Sequence, residues 1–437
     1  MTGWTDDADI GHPFWWEAAP PQPAEAGLPA HCDVLVIGAG YAGLSAAIAA
    51  HDCGATVAVA DAGLPGAGAS SRNGGMVGAH PRLSWSRLAG LYGAETADAL
   101  FAEARPALEW LRGFIRSEGI DCDLQQTGRI QLAWTRKDFE AQRQMARDVA
   151  AKSDVQVRLL DRSGLGSEIA TDQYFGGLLF PEHAAIDPAK FHRGLMRAAQ
   201  RRGIAVAGAC PVTALGRAPL GFTARTGQGQ VRADKVILAT NGYTGPPFRW
   251  HALRVFALPS FIIATEQLPA GDLAHLAPGR RTMVETRARH SYFRLSPDGR
   301  RVLFGGRAAM RPVPLERAAE RLHATMAGIW AELRGVKLSH VWMGNVGYTF
   351  DHMPNVGEDR GLHHAMGFSG SGTVMAPYLG AKAAYRALGD PRGATAYADT
   401  RLRRHPLHPV PTPHFLRAAD LWYRHWVDRI ETWRGRA

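Results

Sequence analysis

An α/β chain of two interleaved domains is what this sequence predicts, and three observations carry that expectation. The 437 residues exceed what one hydrophobic core usually serves. A strand, glycine turn, helix and second strand open at residue 34 in "VLVIGAGYAGLSAAIAAHDCGATVAVADAG", and another strand, glycine turn and helix come much later in "GLHHAMGFSGSGTVMAPYLGAKAAYRALGD". Between them, strand patterns dominate from Ser260 to Arg307. Together these predict a Rossmann-like nucleotide-binding domain that the chain leaves and rejoins, interleaved with a substrate domain (α+β) on a mostly antiparallel sheet.

In chain order, residues 1–30 are rich in Pro and Trp and read as an extended arm laid on the surface. The first periodic element is the strand from Asp33 to Ile37. Helical spacing of apolar residues marks "LAGLYGAETADALFAEARPALEWLRGFIRSEG" and "RKDFEAQRQMARDVAAKS", with a strand-like "GRIQLAW" between them. "IDPAKFHRGLMRAAQRRGIAVAGACPVTAL" reads as a Pro-started helix, a Gly stop and a strand, and "VRADKVILATNGYTG" adds a buried strand. "SYFRLSPDGRRVLFGGR" reads as a hairpin around Pro297, Asp298 and Gly299. The expected nucleotide-binding domain takes residues 31–80, 160–250 and 341–390, and the substrate domain takes 81–159 and 251–340. Residues 391–437 form a helical tail whose amphipathic, Trp-rich "FLRAADLWYRHWVDRIETW" is expected to pack rather than anchor in a membrane.

Composition narrows the function classes. The net charge of +10 comes from arginines spread along the chain without a basic block, so no nucleic-acid partner is expected. The four cysteines (Cys32, Cys53, Cys122, Cys210) have neither zinc-site nor disulfide-framework spacing, and His251, His363 and His364 show no metal spacing. No apolar run is long and charge-free enough to span a membrane, and the acidic start lacks the basic flank of a signal peptide. A cytoplasmic protein without a metal is the expectation.

Gly38, Gly40 and Gly43 follow the first strand as G-x-G-x-x-G. The first glycine allows the tight turn, the second lets a pyrophosphate approach the backbone, and the third lets helix and strand pack closely. The helix N-terminus favours the anion, and Asp61, at the end of the second strand, can accept from ribose hydroxyls. This pattern predicts a dinucleotide site but does not separate FAD from NAD.

A second turn, "GAGASSRNGGMVGA", follows the acidic strand end. With it, and with "PFWWEAAPP", "ATNGYT", "SYFRLSPDGRRVLFGGR", "GNVGYTFDHMPNVG" and "GFSGSGTVMAPYLG", the chain resembles the D-amino-acid oxidase-like (DAO) superfamily of FAD-dependent amine oxidoreductases, in its gamma-glutamylputrescine oxidoreductase-like branch. The resemblance implies an FAD-binding domain in which Gly38, Gly40, Gly43 and Asp61 hold pyrophosphate and ribose. It implies further that Ser71, Arg72, Asn73, Gly74, Gly75 and Met76 line the flavin end, that Val212 lies near the adenine, and that Gly370, Ser371, Gly372 and Thr373 close over the ring. The helix opened by "SGSG" would then stabilise negative charge on the flavin.

The resemblance also locates departures. The two arginines that clamp an amino-acid carboxylate in glycine oxidase-like relatives fall on Val346 and Gly370 here, which argues against a simple alpha-amino acid. Val346 also stands where a covalent Cys–FAD bond forms in sarcosine oxidase-like proteins, and the His of dimethylglycine dehydrogenase-like proteins falls near Arg72, so FAD is expected to be non-covalent. The oxygen-activating Lys falls near Leu303, and no lysine lies on that strand, which leaves oxygen or another electron acceptor open.

The implied reaction is hydride transfer from an amine to flavin N5, leaving an imine that hydrolyses, with no acid/base residue required. The substrates in view are a secondary amine, an N-substituted amino acid or a gamma-glutamyl-polyamine-like molecule. Arg307 and Tyr348 are the substrate-face candidates, with Tyr292, Trp342 and His352 behind them, and Asp351 reads as a loop or cap acid. Two alternatives stand: a flavin-bearing subunit or binding module that needs partner chains, and an NAD(P)-dependent dehydrogenase, which has no use for "GASSRNGG".

Overall fold

The computed structural model describes residues 3–427, 430 and 431. The first strand of the glycine-turn pattern is His31–Ile37, two residues longer than its periodicity indicates, because Arg232 and Ala233 extend the ladder to His31 and Cys32. It sits inside five parallel strands, in the order Ala205–Ala207, Val57–Ala60, His31–Ile37, Gly229–Leu238 and Leu362–Met366. Ala214–Arg217, Phe222–Thr226 and Asn355–Asp359 add antiparallel strands to this sheet. Val34, Leu35 and Val36 are completely buried, as parallel strands covered on both faces must be.

The helix Tyr41–Asp52 covers one face and crosses the helix Gly372–Ala387 with backbone almost in contact. A Cβ on Gly380 would lie 2.1 Å from the Ala42 carbonyl oxygen. Glycine there sets how closely the two glycine-turn helices approach each other.

A nine-stranded, mostly antiparallel sheet faces this unit. Its order is Trp4–Ile10, Leu338–Tyr348, Phe256–Thr265, Val302–Gly306, Ser291–Leu295, Thr282–Glu285, Arg129–Ala133, Gly176–Phe180 and Arg158–Asp161. The hairpin around Pro297–Gly299 is present, with Gly299 at φ +73° in its turn. The expected segment boundaries at 160 and 341 are corrected here. Gly176–Phe180 pairs with Arg129–Ala133, and Leu338–Tyr348 with Phe256–Thr265, so both strands belong to the large sheet.

The arm departs most from expectation. Trp4–Ile10 is an edge strand, parallel to Leu338–Tyr348, and it is followed by a 3-10 turn, Phe14–Glu17, whose Trp15 is 1% exposed. Indoles carry much apolar surface and one donor, and here both properties are satisfied inside the molecule rather than on it. In the tail, Phe415–Trp422 continues as a π-helical turn, Tyr423–Val427. Leu416 packs on Phe256, Met310 and Tyr348, while Trp422 and Trp426 are each 58% exposed, so only one flank of this amphipathic segment is packed. The rest of the expected tail, 428, 429 and 432–437, lies outside the described residues. Among the described residues no helix is long and apolar enough to cross a membrane.

Replacing Gly380 by alanine forces the two helices apart, and overpacking of this kind costs about 1–3 kcal/mol. Gly380→Ala is therefore expected to lower the denaturant midpoint of the FAD-loaded protein, measured by circular dichroism, whereas Gly328→Ala, where a Cβ meets nothing, is not.

Candidate active site

Gly38 adopts φ +105°, and its N–H donates to Ala60 O at 2.8 Å, so the turn closes on the neighbouring strand. A Cβ on Gly43 would lie 1.7 Å from the Gly38 carbonyl oxygen, which leaves glycine as the residue that lets helix and strand meet. Asp61 ends Val57–Ala60 and ties this turn together: Oδ2 accepts from Ala39 N at 2.6 Å and Oδ1 from Gly63 N at 2.9 Å.

A cavity of about 870 Å³ starts here and extends between the two sheets. Gly38, Gly40, Asp61, Arg72, Asn73, Gly74, Met76, Val212, Gly370, Ser371, Gly372 and Thr373 line it, as do Val346, Tyr292, Arg307, Tyr348 and His352. Gly43, Ser71 and Gly75 do not. Gly43 supports the helix, Ser71 Oγ donates to Gly66 O and accepts from the Trp16 indole, and a Cβ on Gly75 would collide with Ile186 O at 2.1 Å. These three shape the wall from behind. Arg72 lines the cavity, but its guanidinium turns away, donating from Nε to Ala67 O and from Nη1 to Gly11 O and Met343 O, so it fastens the arm and the large sheet to the turn.

At the other end, Tyr348 Oη accepts from Arg307 Nη2 at 2.7 Å and from Arg82 Nη1 at 2.9 Å. Burial pushes the phenol up, but the two guanidiniums outweigh it and hold Tyr348 below the usual tyrosine range. Tyr292 Oη lies 2.9 Å from Ser260 Oγ, and burial raises it to about 12. His352 meets the Tyr348 ring edge-on at 5.5 Å, and its Nδ1 is buried without a partner. Burial first, then Arg82 and Arg307, push His352 down to about 4.

Trp342 is corrected as a substrate-face candidate. It is fully buried beside Trp15, and its indole donates to Arg72 O, behind the turn. Asp351 does not line the cavity, since its carboxylate accepts from Tyr92 Oη at 2.5 Å and Met353 N at 3.2 Å. Leu303 lies in the cluster with Trp15 and Trp342, and among the described residues neither a lysine nor a cysteine lines the cavity.

Arg82, Arg129, His80 and His290 also line this end, and the sequence did not point to them. Arg129 begins the strand read from "GRIQLAW", where a lone arginine before an apolar run was the available signal. Arg82 lies in a segment without regular structure and has no local signature.

Comparison with known proteins decides between the nucleotide chemistries. A sequence profile described as DAO, FAD dependent oxidoreductase, matches residues 33–386. The chain belongs to the DAO family of FAD-dependent oxidoreductases. This DAO-family chain is 30% identical over 392 residues to the gamma-glutamylputrescine oxidoreductase of Escherichia coli, covering 88% of the chain and 89% of the relative. It is also 30% identical over 383 residues to a probable oxidoreductase OrdL of Rhizobium meliloti, covering 86% and 88%.

Among solved structures, glycine oxidase from Geobacillus kaustophilus shares the fold at TM-score 0.70 and 22% identity, over 86% of this chain and all of that one. L-proline dehydrogenase from P. horikoshii shares it at TM-score 0.66 and 16% identity, over 91% and 99%. The DAO-family chain is thus an FAD-dependent oxidoreductase.

Its own residues fit that cofactor. Gly38 and Gly40 line the cavity with Ser70 where a helix N-terminus opens onto it, Asp61 offers acceptors at the strand end, and a second helix N-terminus at Ser371 meets the same space. Asp61→Ala, which removes both the strand-end acceptor and the tie to Ala39 N and Gly63 N, is expected to yield protein largely free of FAD after dialysis. The ratio of flavin to protein absorbance checks this, and Asp61→Asn should retain more FAD than Asp61→Ala.

Proposed function

We propose that this protein oxidises a C–N bond of an amine to an imine that water hydrolyses, the substrate being a secondary amine, an N-substituted amino acid or a gamma-glutamyl-polyamine-like molecule. The observation that carries the reading is Tyr348 held between Arg82 and Arg307 on the wall of the cavity that begins at the glycine turn. Gly38, Gly40, Asp61, Asn73, Gly74, Met76, Val212 and Gly370–Thr373 would hold FAD non-covalently, and the cofactor when bound would supply, at N5, the acceptor for the substrate hydride. The cysteine-free wall supports the non-covalent assignment.

The chain's residues bind and prepare the amine. Arg82 Nη1 and Arg307 Nη2 are engaged on Tyr348 Oη, which leaves other guanidinium N–H groups to hold an acidic group of the substrate. Substrate ammonium placed near these cations is driven toward the free base, because like charges disfavour the protonated form. The reactive neutral amine therefore forms without a dedicated basic side chain. His352 and His290, both held neutral, add no competing charge.

Anaerobic addition of an amine panel to the purified protein, followed by air, tests the reading. Loss of the visible flavin band with one amine supports it, and a band that only dithionite removes overturns it. The pH dependence carries a sign. The reduction rate at saturating amine rises with pH through the pKa of the bound amine, and Arg307→Met removes a cation that lowers this pKa. The rising limb of the profile is expected to move to higher pH in Arg307→Met, by roughly half a unit to one unit for one charge at this range.

A further inference from the structure

The substrate end of the cavity carries guanidinium groups that the protein does not neutralise. Among the described residues, no carboxylate oxygen lies within 4.0 Å of a nitrogen of Arg82, Arg129 or Arg307. Two carboxylates do line the cavity, and both are committed elsewhere. Asp61 holds the glycine turn. Glu285 takes Arg287 at 2.7 and 2.8 Å, the Tyr174 hydroxyl at 2.9 Å and Ser291 N at 2.8 Å.

Arg129 is the most exposing of these. Its Nη2 lies 2.8 and 3.2 Å from the ring nitrogens of His80, its guanidinium stands over Phe180 at 5.4 Å, and its Nε is buried without any partner. Burial, then the nearby charge of Arg82, pulls it down to about 10. His80 and His183 beneath it are kept neutral by burial and by Arg129 itself. An unpaired cation out of water is strongly disfavoured, and folds tolerate it where a ligand supplies the counter-charge.

We propose that the substrate carries two acidic groups, one held by Arg82 and Arg307 beside Tyr348 and the other by Arg129, so that it is a dicarboxylate-bearing amine and not a cationic polyamine. This rests on the reading of the cavity as an amine-oxidising site and narrows it. A distal ammonium would face three guanidiniums, whereas a second carboxylate meets the side of Arg129 that lines the cavity. The Val346 and Gly370 positions contribute no charge, so the acid-binding groups come instead from Arg82, from the strand Arg129–Ala133 and from the residue after Val302–Gly306.

The test uses inert probes on the FAD-loaded protein, so it does not depend on turnover. Calorimetric titration with succinate, glutarate and adipate is expected to show at least one dicarboxylate binding about tenfold or more tightly than butyrate, with no binding of cadaverine. Arg129→Met should bring the best dicarboxylate down to the butyrate level while leaving butyrate itself within about threefold, and Arg129→Lys should restore part of the difference.

Butyrate binding as tightly as every dicarboxylate, or cadaverine binding better than either, overturns the proposal in the wild-type protein alone, whatever the variants do. Dicarboxylate binding in a protein whose flavin no amine reduces leaves this inference standing and removes amine oxidation. Reduction by monoacidic or cationic amines without dicarboxylate preference does the reverse.

Discussion

Three indole N–H groups grip the turn from Ser71 to Asn73, and the position of the cavity wall depends on that grip. Trp15 donates to Asn73 O at 2.9 Å, Trp16 to Ser71 Oγ at 2.8 Å, and Trp342 to Arg72 O at 2.9 Å. The turn grows out of the parallel-sheet unit, while the indoles come from the arm and from the large sheet. Each bond contributes only about 0.5–1.5 kcal/mol net, but leaving its buried acceptor unmet costs about 1–3 kcal/mol. Arg72 answers in the other direction, reaching Gly11 O and Met343 O, and Arg294 adds a bond to Ile186 O at 2.8 Å beside Gly75. Neither unit can shift against the other without breaking several of these at once, and the cavity between them inherits that rigidity.

Both ends of the cavity favour negative charge, by different means. At the glycine turn the preference comes from backbone, through a helix N-terminus beside which Ser70 Oγ accepts from Tyr41 N. At the far end it comes from the guanidiniums of Arg82, Arg129 and Arg307, while the neighbouring histidines are held neutral by burial. Tyr348 joins several elements: it ends the strand Leu338–Tyr348, packs in one cluster with Leu416 of the tail, and accepts from Arg82 and Arg307. A side chain in that position senses the arm's neighbour strand, the tail and the ligand chamber together.

Local geometry was legible in the sequence, and convergence was not. Gly38 and Gly43 announce themselves because their reasons, a left-handed turn and a carbonyl at contact distance, act within a few residues. The hairpin at Gly299 is local for the same cause. Arg82 and Tyr348 are 266 positions apart, and nothing near either predicts that they meet. Trp15 was misread because a Pro- and Trp-rich start looks like surface, while its partners are a carbonyl 58 residues on and a core of Trp342 and Leu303. Ser71 and Gly75 sit inside the right motif yet face away from the cavity, since a motif marks a stretch of chain and not the direction of each side chain.

The arm's place in the sheet also sets an order of assembly. Trp4–Ile10 leaves the ribosome well before the strand it lies along, Leu338–Tyr348. Until that strand emerges, the edge strand has no ladder. Pairings across such a separation close late, after the intervening loops have been organised. The bond from Trp342 to Arg72 O closes only after that strand has emerged, so the grip on the turn from Ser71 to Asn73 is completed late, and until then Trp15 lacks part of its core.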